Sequence, residues 1–94
     1  MPEVEFDVQW PDGDHQQVYS PSTVVEEVFD VGTGYPLHRF LALSRAAMAE
    51  ASHRVEARWG FPCSRAAATL TSIERAAARF DGGEVRVTGF RRIG

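Results

Sequence analysis

The sequence predicts an α+β fold: a three-stranded, mainly antiparallel sheet covered on one face by a short helix and a two-helix hairpin, in the order ββαααβ. Three observations predict it. Apolar and polar residues alternate near both ends, apolar residues recur every three or four positions through the middle, and segments rich in glycine, proline or serine separate these stretches. The 94 residues are enough for one domain, 1–94, with a modest core.

The N-terminal segment predicts a β-hairpin. Four apolar residues alternate with acidic or amide residues, which is the period of a strand with one buried face; they are Val4, Phe6, Val8 and Trp10. Residues 11–14 (Pro-Asp-Gly-Asp) supply the side chains of a tight turn. Residues 15–20 are therefore predicted to return as a second, antiparallel strand.

Two short cassettes place serine and proline where a helix should begin: residues 19–22 (Tyr-Ser-Pro-Ser) and 60–64 (Gly-Phe-Pro-Cys-Ser). In the first, Ser20 can cap a helix that has Pro21 at its first position, which predicts a short helix over 21–29. In the second, Ser64 can cap a helix that stops at Asp81, before two glycines.

The longest element is predicted over residues 36–59, where apolar residues follow helical spacing from Leu37 to Trp59. Such a helix spans about 36 Å, whereas the strands span about 25 Å. Part of the helix must therefore overhang the sheet, bend or meet another subunit. We expect a homodimer that uses this helix or the exposed face of the sheet.

The last element is predicted as a strand over residues 84–93, with Gly89 marking a bulge or a weak end. If the two long helices run in opposite directions, the last strand has the same direction as the first. It can then pair antiparallel to the second strand or parallel to the first. We favour the all-antiparallel order, because antiparallel pairs are the more frequent.

Composition excludes several classes of protein. The net charge of −3 and a pI near 5.5 argue against a nucleic-acid binder, which needs a basic face. No apolar run approaches the roughly 18 residues of a membrane span, and the N-terminus lacks signal-peptide features. With one cysteine, the chain is expected to be cytoplasmic. The scattered histidines predict no metal site, and no cofactor is expected.

The residues that could carry chemistry lie in or beside the cassettes. Cys63, near a helix N-terminus, is either a reactive thiolate or a small buried apolar residue, and the second reading is favoured. Tyr19 and Tyr35 flank loops that lead into helices, where helix N-termini favour an anionic ligand, although both rings could instead be edges of the core. The ligand-binding candidates are Tyr19, Ser20, Ser22, Tyr35, Cys63 and Ser64.

Six segments together carry a family resemblance: residues 8–13 (Val-Gln-Trp-Pro-Asp-Gly), 19–22, 35–37 (Tyr-Pro-Leu), 44–47 (Ser-Arg-Ala-Ala), 51–55 (Ala-Ser-His-Arg-Val) and 60–64. In them the chain resembles the small nitrogen-starvation-response family of bacterial proteins. Members are typically encoded beside a nitrilase, a radical-SAM protein, an acetyltransferase, a flavoprotein and a synthetase-like protein. The resemblance implies a shared pathway to an unidentified metabolite, and it transfers no catalytic residue.

Two classes of function follow. The first is a non-enzymatic accessory or interaction protein of the nitrilase-linked pathway, with partners among the enzymes of that cluster. The second is a small-ligand (anion) binder or minor enzyme that works at the two cassettes. Convergence of the cassettes in one concave pocket with Tyr19 and Cys63 would favour the second class.

Overall fold

The computed structural model describes residues 2–94 and has an α+β fold. Four strands form one sheet in the order β2-β1-β4-β3, and every neighbouring pair is antiparallel. Three helices complete the chain. In sequence order the elements are β1 (Val4–Gln9), β2 (His15–Ser20), α1 (Val24–Val28), β3 (Gly34–Pro36), α2 (Leu37–Trp59), α3 (Ser64–Ala77) and β4 (Glu84–Arg92).

The sheet has four strands, so the prediction of three strands was wrong. The missed strand, β3, is three residues long and pairs with residues 84–86 of β4 at one edge of the sheet. A segment this short shows no period, and proline in it is tolerated because an edge strand need not donate every ladder bond.

The predicted position of the last strand was also wrong, because β4 pairs antiparallel with β1 rather than with β2. The cause is the missed strand. β3 is antiparallel to β4 and so runs parallel to β1, which means that the chain reverses direction once between β2 and α2. The predicted bulge is confirmed: Asp7 pairs with Gly89 while Val8 pairs with Val87, which leaves Thr88 as the extra residue.

The core lies between one face of the sheet and the helices. The alternation predicted for the first strand is confirmed, since its four apolar residues are at most 2% exposed. A series of packed aromatic rings, which we call the aromatic chain, crosses this layer. Phe40 of α2 stacks on Phe29 with ring centroids 5.1 Å apart and meets the edge of Trp10 at 5.6 Å. This chain joins the long helix to both the sheet and the segment after α1.

The first cassette forms a turn, and the predicted helix over 21–29 was wrong at its start, because α1 begins only at Val24. Ser20 does not cap it. Its hydroxyl donates to the carbonyl oxygen of Ser22 at 2.8 Å, and the Ser22 hydroxyl oxygen accepts from the backbone N–H of Val24 at 3.3 Å. Local hydrogen bonds of serine thus compete with helix formation in this cassette.

Both long helices lie close to their predicted ranges. α2 covers Leu37–Trp59, and Gly60 follows it with a left-handed φ of +85°. α3 begins at Ser64, so the cap position belongs to Cys63 rather than to Ser64, and the helix ends at Ala77, before Asp81. The last fully buried residue of α2 is Ala51, and residues 56–62 are all exposed. The helical hairpin therefore overhangs the sheet, which is one of the three outcomes that the length of the helix predicted.

One buried hydroxyl yields a stability prediction. The Oγ of Ser44 is buried against the core with no hydrogen-bond partner among residues 2–94. Because the hydroxyl is desolvated without compensation, Ser44→Ala should raise the free energy of unfolding by about 1 kcal/mol in urea denaturation. Thr69→Ala is the matched control and should lower it, since the Thr69 hydroxyl donates to the Tyr19 carbonyl oxygen at 2.9 Å. If both variants were destabilised, the claim that the buried Ser44 hydroxyl costs stability would be contradicted.

Candidate functional site

Tyr19 lies at the contact between β2 and the start of α3. The guanidinium of Arg65 lies over its ring, 3.8 Å from the centroid. The Tyr19 hydroxyl donates to the carboxylate of Glu3, which also accepts from Arg65 Nη1 at 3.1 Å. These three side chains tie the first cassette to the helix that follows the second.

The environment of Tyr19 fixes its protonation. Burial, and then the hydrogen bond to the Glu3 carboxylate, raise the pKa of the Tyr19 hydroxyl well above its usual range. The phenol therefore stays protonated at physiological pH. It can donate a hydrogen bond, but it is not suited to act as a base or nucleophile.

Three other ligand-binding candidates, Ser20, Ser22 and Tyr35, make contacts that keep them away from a shared site. Ser20 and Ser22 are fully buried and bonded to the backbone of their own turn. Tyr35 lies on β3, at the opposite edge of the sheet from β2. Its hydroxyl accepts from the backbone N–H of Asp30 at 2.8 Å, and its ring meets Phe29 edge-on at 5.5 Å. The structure does not bring Tyr35 to the cassettes.

Cys63 and Ser64 line an open groove of about 380 Å³ between α2 and α3, which we call the interhelical groove. Cys63 is half-buried, and its backbone N–H donates to the hydroxyl oxygen of Ser52 at 3.3 Å. Arg45 also borders the groove. The apolar lining consists of Met48, Ala49, Pro62, Ala66, Ala67 and Leu70. Tyr19 lines a separate cavity with Arg65, so the cassettes come together at α3 but do not share one pocket.

The end of the hairpin, residues 56–62, carries two exposed aromatic side chains, and we call it the helical tip. Trp59 is 60% exposed and Phe61 is 63% exposed. Arg58 covers part of the indole, with its guanidinium 5.3 Å from the ring centroid. Sequence reasoning included an overhanging end of α2 among its predictions but missed the exposure of these aromatic side chains, because helical spacing placed Trp59 at the end of the buried stripe. The signal was the mismatch between the lengths of helix and sheet.

The outer face of the sheet is polar, and its side chains form hydrogen bonds and ion pairs with one another. The Asp7 carboxylate accepts from the Thr88 hydroxyl at 2.7 Å and lies 2.9 Å from Nδ1 of His15. Arg91 pairs with Glu5 beside them. Both the histidine and the hydroxyl bond to the same carboxylate, so this trio is not arranged as a nucleophile with its base, where the histidine stands between the other two.

Two further properties concern residues 2–94. Within that range, no three histidine, cysteine, aspartate or glutamate side chains lie close enough together to hold a metal ion. In the same part of the chain, no helix is both long and apolar enough to span a bilayer.

These features define a small α+β protein with a four-stranded antiparallel sheet, a helical hairpin that overhangs it, and an open apolar groove between the hairpin helices. The chain belongs to the family described as nitrogen starvation-induced protein NitG, whose model matches residues 5–90. The resemblance to a nitrogen-starvation-response family is thereby confirmed. No curated protein and no solved structure matches the chain.

Proposed function

We propose that this protein acts in the nitrogen-starvation response by binding other proteins in the cytoplasm, without carrying out chemistry itself. Its partners are the enzymes of a nitrilase-linked biosynthetic cluster, and its working form is a homodimer. Membership of the family supports the physiological setting. The surface of the helical hairpin supports the mode of action.

The observation that carries this proposal is the exposed aromatic pair on the helical tip. Trp59 and Phe61 are each more than half exposed beyond the end of the sheet, next to the apolar interhelical groove. Exposing both rings to water is unfavourable, and tryptophan and other aromatic residues are enriched at protein interfaces. A surface of this kind is typical of a binding site for another protein.

The polar side chains near the groove favour the same conclusion. The hydroxyl oxygen of Ser52 accepts from the backbone of Cys63, and Arg45 pairs with Glu74 at 2.9 Å. The Arg65 guanidinium pairs with Glu3. The Ser52 hydroxyl and these two arginines are thus occupied by neighbours in the chain, which supports the binding of a protein over that of an anion.

The test is binding to purified enzymes of the cluster, beginning with the nitrilase. The tagged protein should retain at least one of them in a fixed stoichiometry. The double variant Trp59→Ser/Phe61→Ser should lose it, whether the tip contacts the enzyme directly or through a dimer. Val31→Ser is the matched control, because Val31 is 56% exposed but lies in the loop before β3. Absence of binding to every cluster enzyme at about 100 µM would overturn the proposal.

A second candidate function is the binding of a small anion, or a minor enzymatic role, at the two cassettes. It is supported by the contact of Arg65 with Tyr19 next to the start of α3. It is the weaker candidate, because Glu3 already neutralises that guanidinium. A Cys63→Ala strain that loses the pathway product, while the protein stays folded and bound to its partners, would favour it.

A further inference from the structure

We infer that the helical tip of one copy docks in the interhelical groove of a second copy, and the reverse, in a two-fold symmetric dimer. The inference rests on the proposed function in that it names one partner of the binding surface. It assigns Trp59 as the side chain that is inserted and the groove as its receptor.

The positions of tip and groove on α2 fit this arrangement. Trp59 follows Ser52 by seven residues and Met48 by eleven, so all three share one side of the helix. Two turns separate Trp59 from Ser52, about 10.5 Å along the axis. A two-fold axis that runs between the α2 helices of the two copies, perpendicular to both and level with Val55, makes these helices antiparallel and therefore places each Trp59 opposite Ser52 of the other copy. The same patch serves both copies, as an isologous interface requires.

The area available fits a weak contact between two copies. At the observed exposures, Trp59 and Phe61 present about 275 Å² per copy, if fully exposed rings offer about 250 and about 200 Å². The two tips of a dimer thus remove about 550 Å² from water, which is the size of a weak, concentration-dependent contact.

Charge also favours this surface over the sheet. Among residues 2–94, Glu56 and Arg58 of the tip have no ion-pair partner, and they cancel in charge, whereas the whole chain carries −3. The tip therefore brings no net charge to the groove, where Arg45 is already paired with Glu74. The alternative surface, the outer face of the sheet, is covered by ionised side chains such as Glu5 and Arg91, whose desolvation opposes association.

The experiment is light scattering of the full chain from about 5 to about 200 µM, a range that brackets a contact of this size. The mass of the wild type should rise with concentration from 10.4 kDa to twice that value. Trp59→Ser should raise the dissociation constant of the dimer at least about 30-fold, as expected for a tryptophan at the centre of an interface. Val31→Ser should leave it unchanged.

A second variant tests the receptor side. Ala67→Arg places a long charged side chain in the groove at an exposed helix position, so folding should be retained while the dimer is lost. An equimolar mixture of Trp59→Ser and Ala67→Arg should recover part of the association, because one intact tip then meets one intact groove. A monomer at every concentration, or a dimer that neither variant weakens, would overturn the inference.

The outcome is separable from that for the proposed function. A dimer that binds no cluster enzyme supports the inference and overturns the proposed function. A monomer that binds the nitrilase through its tip overturns the inference and the homodimer of the proposed function, but it supports the binding of cluster enzymes.

Discussion

Replacing Phe40 with alanine is expected to lower the free energy of unfolding by about 4 kcal/mol, the largest effect of any single change considered. Phe40 is fully buried and stands at the centre of the aromatic chain, between Phe29 and Trp10. Its removal deletes both ring contacts and leaves a cavity that the sheet and α2 cannot close. Since domains of this size are stable by about 5 to 15 kcal/mol, the variant should be only marginally folded.

The matched control is Phe61→Ala, the same chemical change at a ring that is 63% exposed. Measured by urea denaturation at about 1 µM, where self-association is weak, it should change the free energy of unfolding by less than about 0.5 kcal/mol. Similar losses for the two variants would contradict the packing described for α2.

Replacing Gly83 with alanine should lower the free energy of unfolding by about 3 kcal/mol. Gly83 precedes β4 with a φ of +99°, and an added Cβ would lie 2.8 Å from the Cβ of Pro11. Its carbonyl oxygen also accepts from the backbone N–H of Leu37, at the start of α2. A side chain at this position would therefore push the β1–β2 turn away from the start of both β4 and the long helix.

Two other glycines separate the effect of backbone strain from the effect of the contact with Pro11. Gly13 has a φ of +92° with open space around it, so Gly13→Ala should show the backbone strain alone, about 1 to 2 kcal/mol. Gly82 has neither constraint, and Gly82→Ala should be near neutral. Urea denaturation of the three variants should rank Gly83 first and Gly82 last. Equal effects at Gly83 and Gly13 would show that contact with Pro11 contributes nothing.

The parts of the fold that could be predicted from the sequence are those with a long period or a strict alternation. β1 alternates over its whole length, and α2 keeps a helical stripe through 23 residues, so its predicted range differs from the observed one by a single residue. β3 could not be predicted, because three residues show no period and its pairing with β4 is between segments distant in sequence. That omission also reversed the predicted direction of β4.

The candidate site was predicted only in part. The cassettes were recognised from residue types, but serine, proline and tyrosine serve turns, caps and cores as readily as ligands. In the structure Ser20 and Ser22 are buried in a turn, while Cys63 and Ser64 face the groove. The exposure of Trp59 could not be read from its spacing, because the stripe on α2 continues after the sheet beneath it has ended.

The central claim is that the interhelical groove is a protein-binding surface covered by a second copy, and Cys63 reports on it directly. Cys63 is the one cysteine of the chain and lines the groove. We predict that its alkylation rate with a maleimide falls as the protein concentration rises from about 5 to about 200 µM, in the wild type but not in Trp59→Ser. An alkylation rate that is the same at every concentration in both proteins would contradict the claim.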